Sequence, residues 1–249
     1  MSDTKYVNVS IVTFNRLSYT QRCIESFRKS ADYPYVITVV DNGSTDGTVE
    51  WLQGQKQNRL IKNLILHPEN RGVAVAANDG WAAEDCAYYM KLDNDMLIKK
   101  QSFLGPMVKV LDDAPKVGAV AYNLEPTSYA VQQIDTMRLR PKNGNLGGCC
   151  ILIPKRTHER LGFWCEDYGL YGEEDTDYGF RIILAGYLNG YMEDESAVIQ
   201  MCEDADLDYR KFKDQQRERN WSEQGRFKEN MLAYVQGTKP LYVSRRSKP

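Results

Sequence analysis

Acidic side chains occur in two clusters whose spacing suits metal and proton chemistry. The first, Asp93-Asn94-Asp95, directly follows an apolar stretch that ends at Leu92. Two carboxylates two residues apart at the end of a strand can project to the same side and bind a hard divalent cation. Such a cation usually keeps several waters and bridges to substrate phosphates. Because Asp-x-Asp also occurs in ordinary turns, the buried strand before it is what favours a site.

The second cluster lies between Gly172 and Arg181 and includes the adjacent acids Glu174 and Asp175. The glycine-rich stretch before it lets backbone come close to a ligand. A carboxylate in a half-buried cleft beside a metal site is a candidate general base. The alternative is an acidic first helical turn, which the helix dipole favours.

Composition excludes several other kinds of chemistry. Only 2 histidines occur, and the 6 cysteines include no Cys-x-x-Cys pair, which argues against histidine-based, zinc and disulfide chemistry. No Gly-x-Gly-x-x-Gly follows the first predicted strand and no Gly-Lys-Ser/Thr loop occurs, so NAD-dependent and P-loop chemistry are disfavoured. The pair Gly147-Gly148 would allow close approach of a ligand, or would form a tight turn into a strand.

Apolar periodicity predicts the elements that must position these clusters. Strands are expected at 7–13, 36–40, 64–66, 88–92, 117–121, 149–153 and 197–201. The first helix is expected to begin at Ser18, which would form a capping box with Gln21. Further helices are expected at 48–55, 73–84, 101–111, 175–185 and 208–234. This order predicts an α/β fold with a mostly parallel central sheet flanked by helices. Residues 122–146 are weakly patterned and are expected to hold a small hairpin or a mobile segment.

Polar residues follow each of the first four predicted strands. They form the stretches Thr13-Phe-Asn-Arg16, Asp41-Asn-Gly-Ser-Thr-Asp-Gly-Thr48, Asn70-Arg-Gly72 and Asp93-Asn-Asp95. In a parallel sheet, ligands bind beyond the carboxyl ends of the strands. Four such stretches at one sheet edge therefore predict a binding site.

With the residues beside them, these stretches resemble, in this order, the family 2 glycosyltransferases of the GT-A fold; the similar positions are Val9–Arg16, Asp41–Thr48, Asn70–Asn78 and Lys91–Asp95. The similar positions also include Gly147-Gly148, Gly162-Phe163 and Glu174-Asp-Thr-Asp177 with Arg181, and together they extend over residues 7–190. The resemblance implies a single GT-A domain, Rossmann-like in its first half, over 1–207. Within it, residues 1–97 would bind the nucleotide-sugar and residues 98–207 would face the acceptor. Residues 208–249 would form a basic helical extension.

The resemblance also implies roles for individual residues. Thr13 and Asp41 would lie near the base and Asp93 near the ribose, while Asp95, with Asp93, would bind the Mn²⁺ or Mg²⁺ ion that holds the diphosphate. Sugar transfer would invert the anomeric carbon, with Asp175 as the base and Glu174 as its competitor. The resemblance further assigns Asn15, Arg16, Asn70, Gly72, Asn78 and Asn94 to the donor, and Gly147, Gly148 and Trp164 to the acceptor.

One departure from the family pattern concerns the metal. Many relatives have a histidine after the strand that follows the catalytic helix, whereas the stretch from Val198 to Asp204 contains none. Three explanations stay open: Asp204 replaces the histidine, the diphosphate and waters suffice, or metal binding is weaker than in relatives.

Charge is distributed unevenly along the chain. Residues 210–249 carry 11 basic and 4 acidic side chains, although the whole chain has a net charge of -2. This tail either neutralises the acidic body or contacts an anionic membrane surface that carries a lipid-linked acceptor. A pI near 5.8 argues against nucleic-acid binding.

The expected function is metal-dependent, inverting transfer of a sugar from a UDP-, dTDP- or GDP-sugar, UDP being favoured, to a hydroxyl of a glycan or lipid-linked acceptor. A nucleotidyltransferase and a non-catalytic nucleotide- or glycan-binding relative are the alternatives. No apolar run reaches the ~18 residues of a membrane helix, and the first residues do not resemble a signal peptide. We therefore expect a cytoplasmic protein whose contact with a membrane, if the basic tail provides one, is peripheral.

Overall fold

A computed structural model of the chain describes residues 5–124, 129–201, 211, 214–215 and 224–245. The strands are β1 (Val7–Thr13), β2 (Tyr35–Asp41), β3 (Asn63–Leu66), β4 (Tyr88–Asp93), β5 (Met96–Ile98), β6 (Val117–Ala121), β7 (Gln132–Ile134), β8 (Met137–Lys142), β9 (Cys150–Pro154), β10 (Leu188–Tyr191) and β11 (Val198–Gln200). The helices are α1 (Leu17–Ser30), α2 (Thr48–Gln57), α3 (Val73–Trp81), α4 (Leu104–Asp113), α5 (Lys155–Leu161), α6 (Glu174–Leu184) and α7 (Gln224–Val235), with a 3-10 turn at Glu166–Tyr168.

The central sheet has nine strands in the order β3-β2-β1-β4-β9-β6-β10-β8-β7. The first four positions are parallel neighbours, β9 is antiparallel to both β4 and β6, and β10 is again parallel to β6. Since β8 is the only other reversed strand, most strands of the sheet point the same way. The prediction of a mostly parallel α/β sheet is confirmed, and the loops after β1 to β4 share one edge.

Side chains alternate between the two faces of the sheet and form two cores. In β4, Tyr88, Met90 and Leu92 belong to the core that also contains α1 and α4 residues, whereas Tyr89 belongs to the core that contains α3, α5 and α6 residues. Since successive residues of a strand point to opposite faces, Lys91 follows Tyr89 onto the α6 side. The position of this lysine beside α6 is important for the site described below.

Several elements differ from the sequence prediction. Strands β5 and β10 and helix α5 were not predicted, and the weakly patterned region holds the β7–β8 hairpin. The Ser18 capping box is wrong, because α1 begins at Leu17, whose N–H donates to Asp46 Oδ2 at 3.0 Å, and its N-cap residue is Arg16. Of the predicted helix 208–234, α7 and residues 211 and 214–215 are described as helical, and the rest lies outside the described residues. Among the described helices, none combines the length and apolarity needed to cross a membrane.

The described part of the C-terminal extension packs on α6. Tyr234 of α7 donates its hydroxyl hydrogen to Asp177 Oδ2 at 3.1 Å, and Arg181 Nη1 donates to the carbonyl oxygen of Leu241 at 3.1 Å. Asp177 and Arg181 form an ion pair at 2.6 Å whose side chains are both fully buried. Residues 224–245 therefore cover charged groups of the helix that carries the second acidic cluster.

Candidate active site

A pocket opens where the carboxyl ends of β1 to β4 approach the amino end of α6. Both acidic clusters found in the sequence contribute to its wall, together with the glycine pair. The predicted site residues that line it are Asn70, Asp93, Asn94, Asp95, Gly147, Gly148, Glu174 and Asp175. The structure thus brings together residues proposed for the donor, the metal, the base and the acceptor, which come from four separate stretches of sequence.

Lys91 lies in the pocket wall; the sequence placed it in a stretch similar to the family but gave it no role. Its side chain is 3% exposed, and its ammonium group donates to Asp93 Oδ1 and, at 2.6 Å, to the carbonyl oxygen of Gly148. Burial by itself lowers the pKa of Lys91, but the charge of Asp93, its hydrogen bond to the ammonium group and the charge of Glu174 together outweigh burial, so the pKa lies above its usual value. Lys91 therefore remains a cation between the two acidic clusters.

Asp175 is held by backbone groups at the first turn of α6. Its Oδ2 accepts a hydrogen bond from the Gly148 N–H at 3.1 Å, and its Oδ1 accepts one from the Thr176 N–H at 2.7 Å. A Cβ atom added to Gly148 would lie 3.1 Å from the Asp175 Cβ, so a larger residue there would crowd the carboxylate. A side chain at position 148 is therefore sterically disfavoured. The preceding residue, Gly147, has a φ of +74°, a left-handed conformation that favours glycine.

Glu174 is the more deeply buried of the two adjacent acids. Its Oε2 accepts the N–H of Gly172 at 3.1 Å, and the residue is 7% exposed. Burial raises the pKa of Glu174 to about 8; the charge of Asp175 acts in the same direction and that of Lys91 opposes it. A carboxyl group with such a pKa can hold or release a proton near neutral pH.

Asp95 lies at the opposite side of the pocket, where Arg16 and Gln200 contact it. Arg16 Nη1 is 3.4 Å from Asp95 Oδ2, and Gln200 Nε2 donates to the same oxygen at 3.0 Å. Gln200 reaches this place because β11 pairs with β5 and sets Gln200 opposite Met96. Gln200 thus lies beside Asp95 and belongs to the strand that precedes the expected position of the histidine. Asp204, the carboxylate considered as a replacement, lies outside the described residues.

The oxygen ligands of the pocket fit a divalent cation that a substrate helps to bind. Asp93 and Asp95 both line the pocket and supply the hard oxygen donors that Mg²⁺ and Mn²⁺ prefer. Within the described ranges, no group of three His, Cys, Asp or Glu side chains is close enough to hold a metal by itself. The remaining ligands would therefore be phosphate oxygens and water.

The loop after β2 is organised by a buried carboxylate. Asp41 Oδ1 accepts the backbone N–H groups of Gly43 and Ser44, and its Oδ2 accepts the Thr13 hydroxyl at 2.8 Å. Thr13 and Asp41 are directly opposite in the β1–β2 register and are both fully buried. Asn15 joins the same loop, because its Oδ1 accepts the Thr45 N–H at 2.8 Å. These residues do not line the pocket themselves, but their hydrogen bonds hold the loop after β2 in place beside it.

A second polar network, which the sequence analysis did not identify, connects the loops after β2 and β3. Asn42 Nδ2 donates to Asn70 Oδ1 and to the Gly72 carbonyl oxygen, each at 3.1 Å. The Oδ1 of Asn42 lies 2.9 Å from Nδ1 of the buried His67, whose Nε2 lies 2.9 Å from Asp79 Oδ2. Gly72, with φ of +91°, packs so closely that an added Cβ would lie 2.7 Å from a backbone oxygen of Gly169.

Two predicted contact residues lie in the core instead of the pocket. Asn78 is 1% exposed, donates through Nδ2 to the Trp164 carbonyl oxygen and to Glu166, and accepts the Trp164 N–H. Trp164 is fully buried, with its ring centroid 5.2 Å from that of Trp81 and 4.7 Å from that of Tyr178. Protein atoms surround both side chains and neither lines the pocket, so the assignment of Asn78 to the donor and of Trp164 to the acceptor stays a prediction.

Comparison with known proteins identifies the family of the chain and relatives of its sequence. A family model described as "Glycosyl transferase family 2" matches residues 8–156. A poly-beta-1,6-N-acetyl-D-glucosamine synthase from Staphylococcus aureus is 26% identical over 166 residues, which covers 61% of this chain and 39% of that protein. An uncharacterized glycosyltransferase from Rickettsia felis is 33% identical over 100 residues, covering 40% of this chain and 16% of that protein. The chain thus spans well under half the length of both relatives.

Solved structures with the same architecture carry nucleotide ligands. The mannosyltransferase PcManGT from Pyrobaculum calidifontis, in complex with GDP-Man and Mn²⁺, has a TM-score of 0.64 and 24% identity over 77% of this chain and 55% of that chain. GalNAc-T7 with UDP, GalNAc and Mn²⁺ has a TM-score of 0.66 and 15% identity over 82% of this chain and 45% of that chain. At these identities the likeness establishes the fold, which is that of the GT-A glycosyltransferases.

Proposed function

The chain belongs to glycosyl transferase family 2, and from that membership we propose that it transfers a sugar, with inversion, from a nucleotide-diphosphate sugar to a hydroxyl of a glycan or lipid-linked acceptor. UDP is the favoured nucleotide. The observation that carries this proposal is the pocket itself, where Asp93 and Asp95 lie on one side and Glu174 and Asp175 on the other. Metal and base chemistry are both needed for such a reaction, and the pocket holds carboxylates suited to each.

The donor would lie across the carboxyl ends of β1 to β4. Asp93 and Asp95 would hold the divalent cation, which when bound neutralises the charge that develops on the departing diphosphate. Asn70, Asn94 and the backbone of the loop after β2 would orient the nucleotide. This part of the proposal is supported by the position of Asn70 and Asn94 in the pocket wall.

Asp175 would accept the proton of the acceptor hydroxyl. As the O–H proton moves to the carboxylate, the hydroxyl oxygen forms a bond to the anomeric carbon, and the bond from that carbon to the diphosphate oxygen breaks with its electron pair. Two backbone N–H groups orient Asp175, which favours this residue over Glu174 as the base. Glu174, whose pKa of about 8 would leave it largely protonated near neutral pH, would instead contribute to the orientation of the first turn of α6.

A donor panel tests the proposal directly. The full chain would be incubated with Mn²⁺ and with UDP-, dTDP- and GDP-sugars, and slow hydrolysis of each donor would be measured. We expect one nucleotide class to be hydrolysed, and the rate to fall strongly in Asp95→Ala but not in Asp113→Ala, which removes an exposed-face acid of α4. Release of pyrophosphate from a nucleoside triphosphate instead would indicate a nucleotidyltransferase. Nucleotide binding without hydrolysis of any donor would indicate a non-catalytic relative.

A further inference from the structure

A lysine lies beside two tyrosine rings near the pocket, in a place that the proposed reaction does not use. Lys142 is the last residue of β8, and its Nζ lies 5.8 Å from the ring centroid of Tyr129 and 5.4 Å from that of Tyr191. The two rings are stacked with centroids 6.4 Å apart. Tyr191 is buried, whereas Tyr129 is 40% exposed and offers its ring to solvent.

This cluster lies close to the candidate base. The Tyr191 hydroxyl donates to the carbonyl oxygen of Leu146 at 2.9 Å, and the chain then runs through Gly147 to Gly148, whose N–H binds Asp175. Burial lowers the pKa of Lys142, and the charge of Asp175 acts in the opposite direction, so the ammonium group is within electrostatic reach of that carboxylate. A ligand at Lys142 would therefore be a neighbour of a hydroxyl at Asp175.

Within the described residues, no carboxylate forms an ion pair with Lys142. In the part of the chain that the structure describes, its hydrogen-bond partner is the Tyr191 hydroxyl, 3.4 Å from Nζ, and it forms no ion pair. Partial burial beside the aromatic rings weakens its hydration, which strengthens its attraction for an anionic group that enters the same space. Tyr129, which is 40% exposed, supplies an aromatic ring of the size of a sugar ring.

We propose that Lys142 and Tyr129 form an acceptor subsite that selects a sugar carrying an anionic group, a carboxylate or a phosphate, next to the hydroxyl that is glycosylated. The tyrosine ring packs against the sugar, and the ammonium group pairs with the anion. That the bound sugar is the acceptor rests on the proposed function, whereas the preference for an anionic sugar does not. The subsite would restrict the reaction to acidic acceptors by leaving a neutral sugar without a partner for the lysine.

Saturation-transfer NMR on the full chain with UDP and Mn²⁺ tests the subsite with three probes: methyl β-D-glucoside, methyl β-D-glucuronide and glucose 6-phosphate. We expect the glucuronide, the phosphate or both to bind about tenfold more tightly than the neutral glucoside, which corresponds to about 1.4 kcal/mol. Lys142→Gln should remove that preference without weakening the glucoside, and Lys142→Arg should retain it. Lys116→Gln, which changes a lysine that is 74% exposed, is the matched control.

Tyr129 is tested separately. Tyr129→Ala should weaken all three sugars several-fold, whereas Tyr129→Phe, which keeps the ring, should not. Circular dichroism of each variant would establish that it folds. A further test uses the wild-type protein alone: inorganic phosphate should displace the anionic probes from it.

Three results would overturn the proposal: equal affinity of the wild-type protein for all three sugars, a preference that survives in Lys142→Gln, or no displacement by phosphate. Donor hydrolysis, measured on the same samples, judges the proposed function independently. A protein that binds anionic sugars through Lys142 but hydrolyses no donor would keep the subsite and reject the transferase. Hydrolysis without an anionic preference would do the reverse.

Discussion

Lys91 and Asp175 bind opposite ends of the same residue, Gly148. The lysine donates to the Gly148 carbonyl oxygen at 2.6 Å, and the Gly148 N–H donates to Asp175 Oδ2 at 3.1 Å. Because Lys91 also binds Asp93, a continuous set of hydrogen bonds connects the carboxylate on the donor side with the proposed base. The relative position of these two acids therefore depends on a buried lysine and a glycine.

Removal of the Lys91 ammonium group should destabilise this arrangement. In Lys91→Met, the Gly148 carbonyl oxygen and the Asp93 carboxylate lose a buried charged donor. We expect the free energy of unfolding to fall by about 1–3 kcal/mol in urea denaturation, since Asp93 is partly exposed and keeps some hydration. Lys116→Met on the surface should change it by less than about 0.5 kcal/mol. Equal effects of the two substitutions would contradict the role of Lys91.

Asp175→Asn should abolish most sugar transfer and leave donor binding intact. Asparagine keeps the size and polarity of the side chain but cannot accept the proton, and general bases contribute roughly 10² to 10⁴ in rate. The affinity for UDP with Mn²⁺, measured by calorimetry, should be nearly unchanged. Glu174→Gln is the matched comparison: if it is inactive while Asp175→Asn is active, the base is Glu174. If both are active, the cluster is only an acidic helix start.

Nucleotide binding should require a divalent cation in a way that depends on Asp95. The diphosphate and the carboxylates repel each other unless a cation lies between them. Calorimetry should show tight UDP binding by the wild type with Mn²⁺ and much weaker binding with EDTA. In Asp95→Ala the two affinities should become similar, whereas Asp194→Ala, which removes an acid paired with Lys100 outside the pocket, should behave as the wild type. Equal wild-type affinities with Mn²⁺ and EDTA would refute the metal role.

Glu174 should make stability depend on pH in the direction opposite to that of most carboxylates. Burial raises its pKa from 4.5 to about 8 in the folded protein. Between these pH values the folded state binds its proton more tightly than the unfolded state, so stability falls as the pH rises from about 4.5 towards 8. The slope has an upper limit of about 1.4 kcal/mol per pH unit. Urea denaturation across this range should show a smaller decline for Glu174→Gln than for the wild type; identical slopes would show that Glu174 does not titrate there.

Tyr234→Phe should destabilise the whole folded unit. The substitution removes one hydroxyl donor from the buried carboxylate of Asp177, and hydrogen bonds to charged groups contribute about 1.5–3 kcal/mol. Tyr242→Phe, at a residue that is 49% exposed, is the control and should have little effect. A single cooperative transition with a lower midpoint is expected for Tyr234→Phe. If only a separate minor transition shifts, residues 224–245 fold independently of the sheet.

Much of the fold could be predicted because its signals are local. The β-branched run at Val7–Thr13 and the apolar run within Tyr35–Asp41 are buried parallel strands whose composition indicates burial. The loops that follow them contain turn-forming residues, and parallel strands bring such loops to one edge. Strand β5 was not predicted, because it has only three residues and pairs with β11 about a hundred residues away, and so short a strand has no periodicity of its own.

Roles within the site could be predicted only in part. Asp93, Asp95 and Asp175 lie in the pocket as expected, but Asn78, at the end of a matching motif, and Trp164, next to one, are buried in the core. Lys91 was missed because a lysine inside an apolar strand has no sequence signal for function. The alternation of β4 could have placed it on the side of Asp93, but not against Gly148.

The sequence by itself determined the order of strands and helices, the loops that form the pocket and the acids available for chemistry, because these depend on neighbouring residues. Only the tertiary structure decided which of these side chains face the pocket and which charges neutralise each other. Lys91, Gly148 and Asp175 are far apart in sequence and meet because β9 pairs antiparallel with β4 and α6 packs behind them. Burial and electrostatic interactions act through space, so a pattern along the chain cannot specify them.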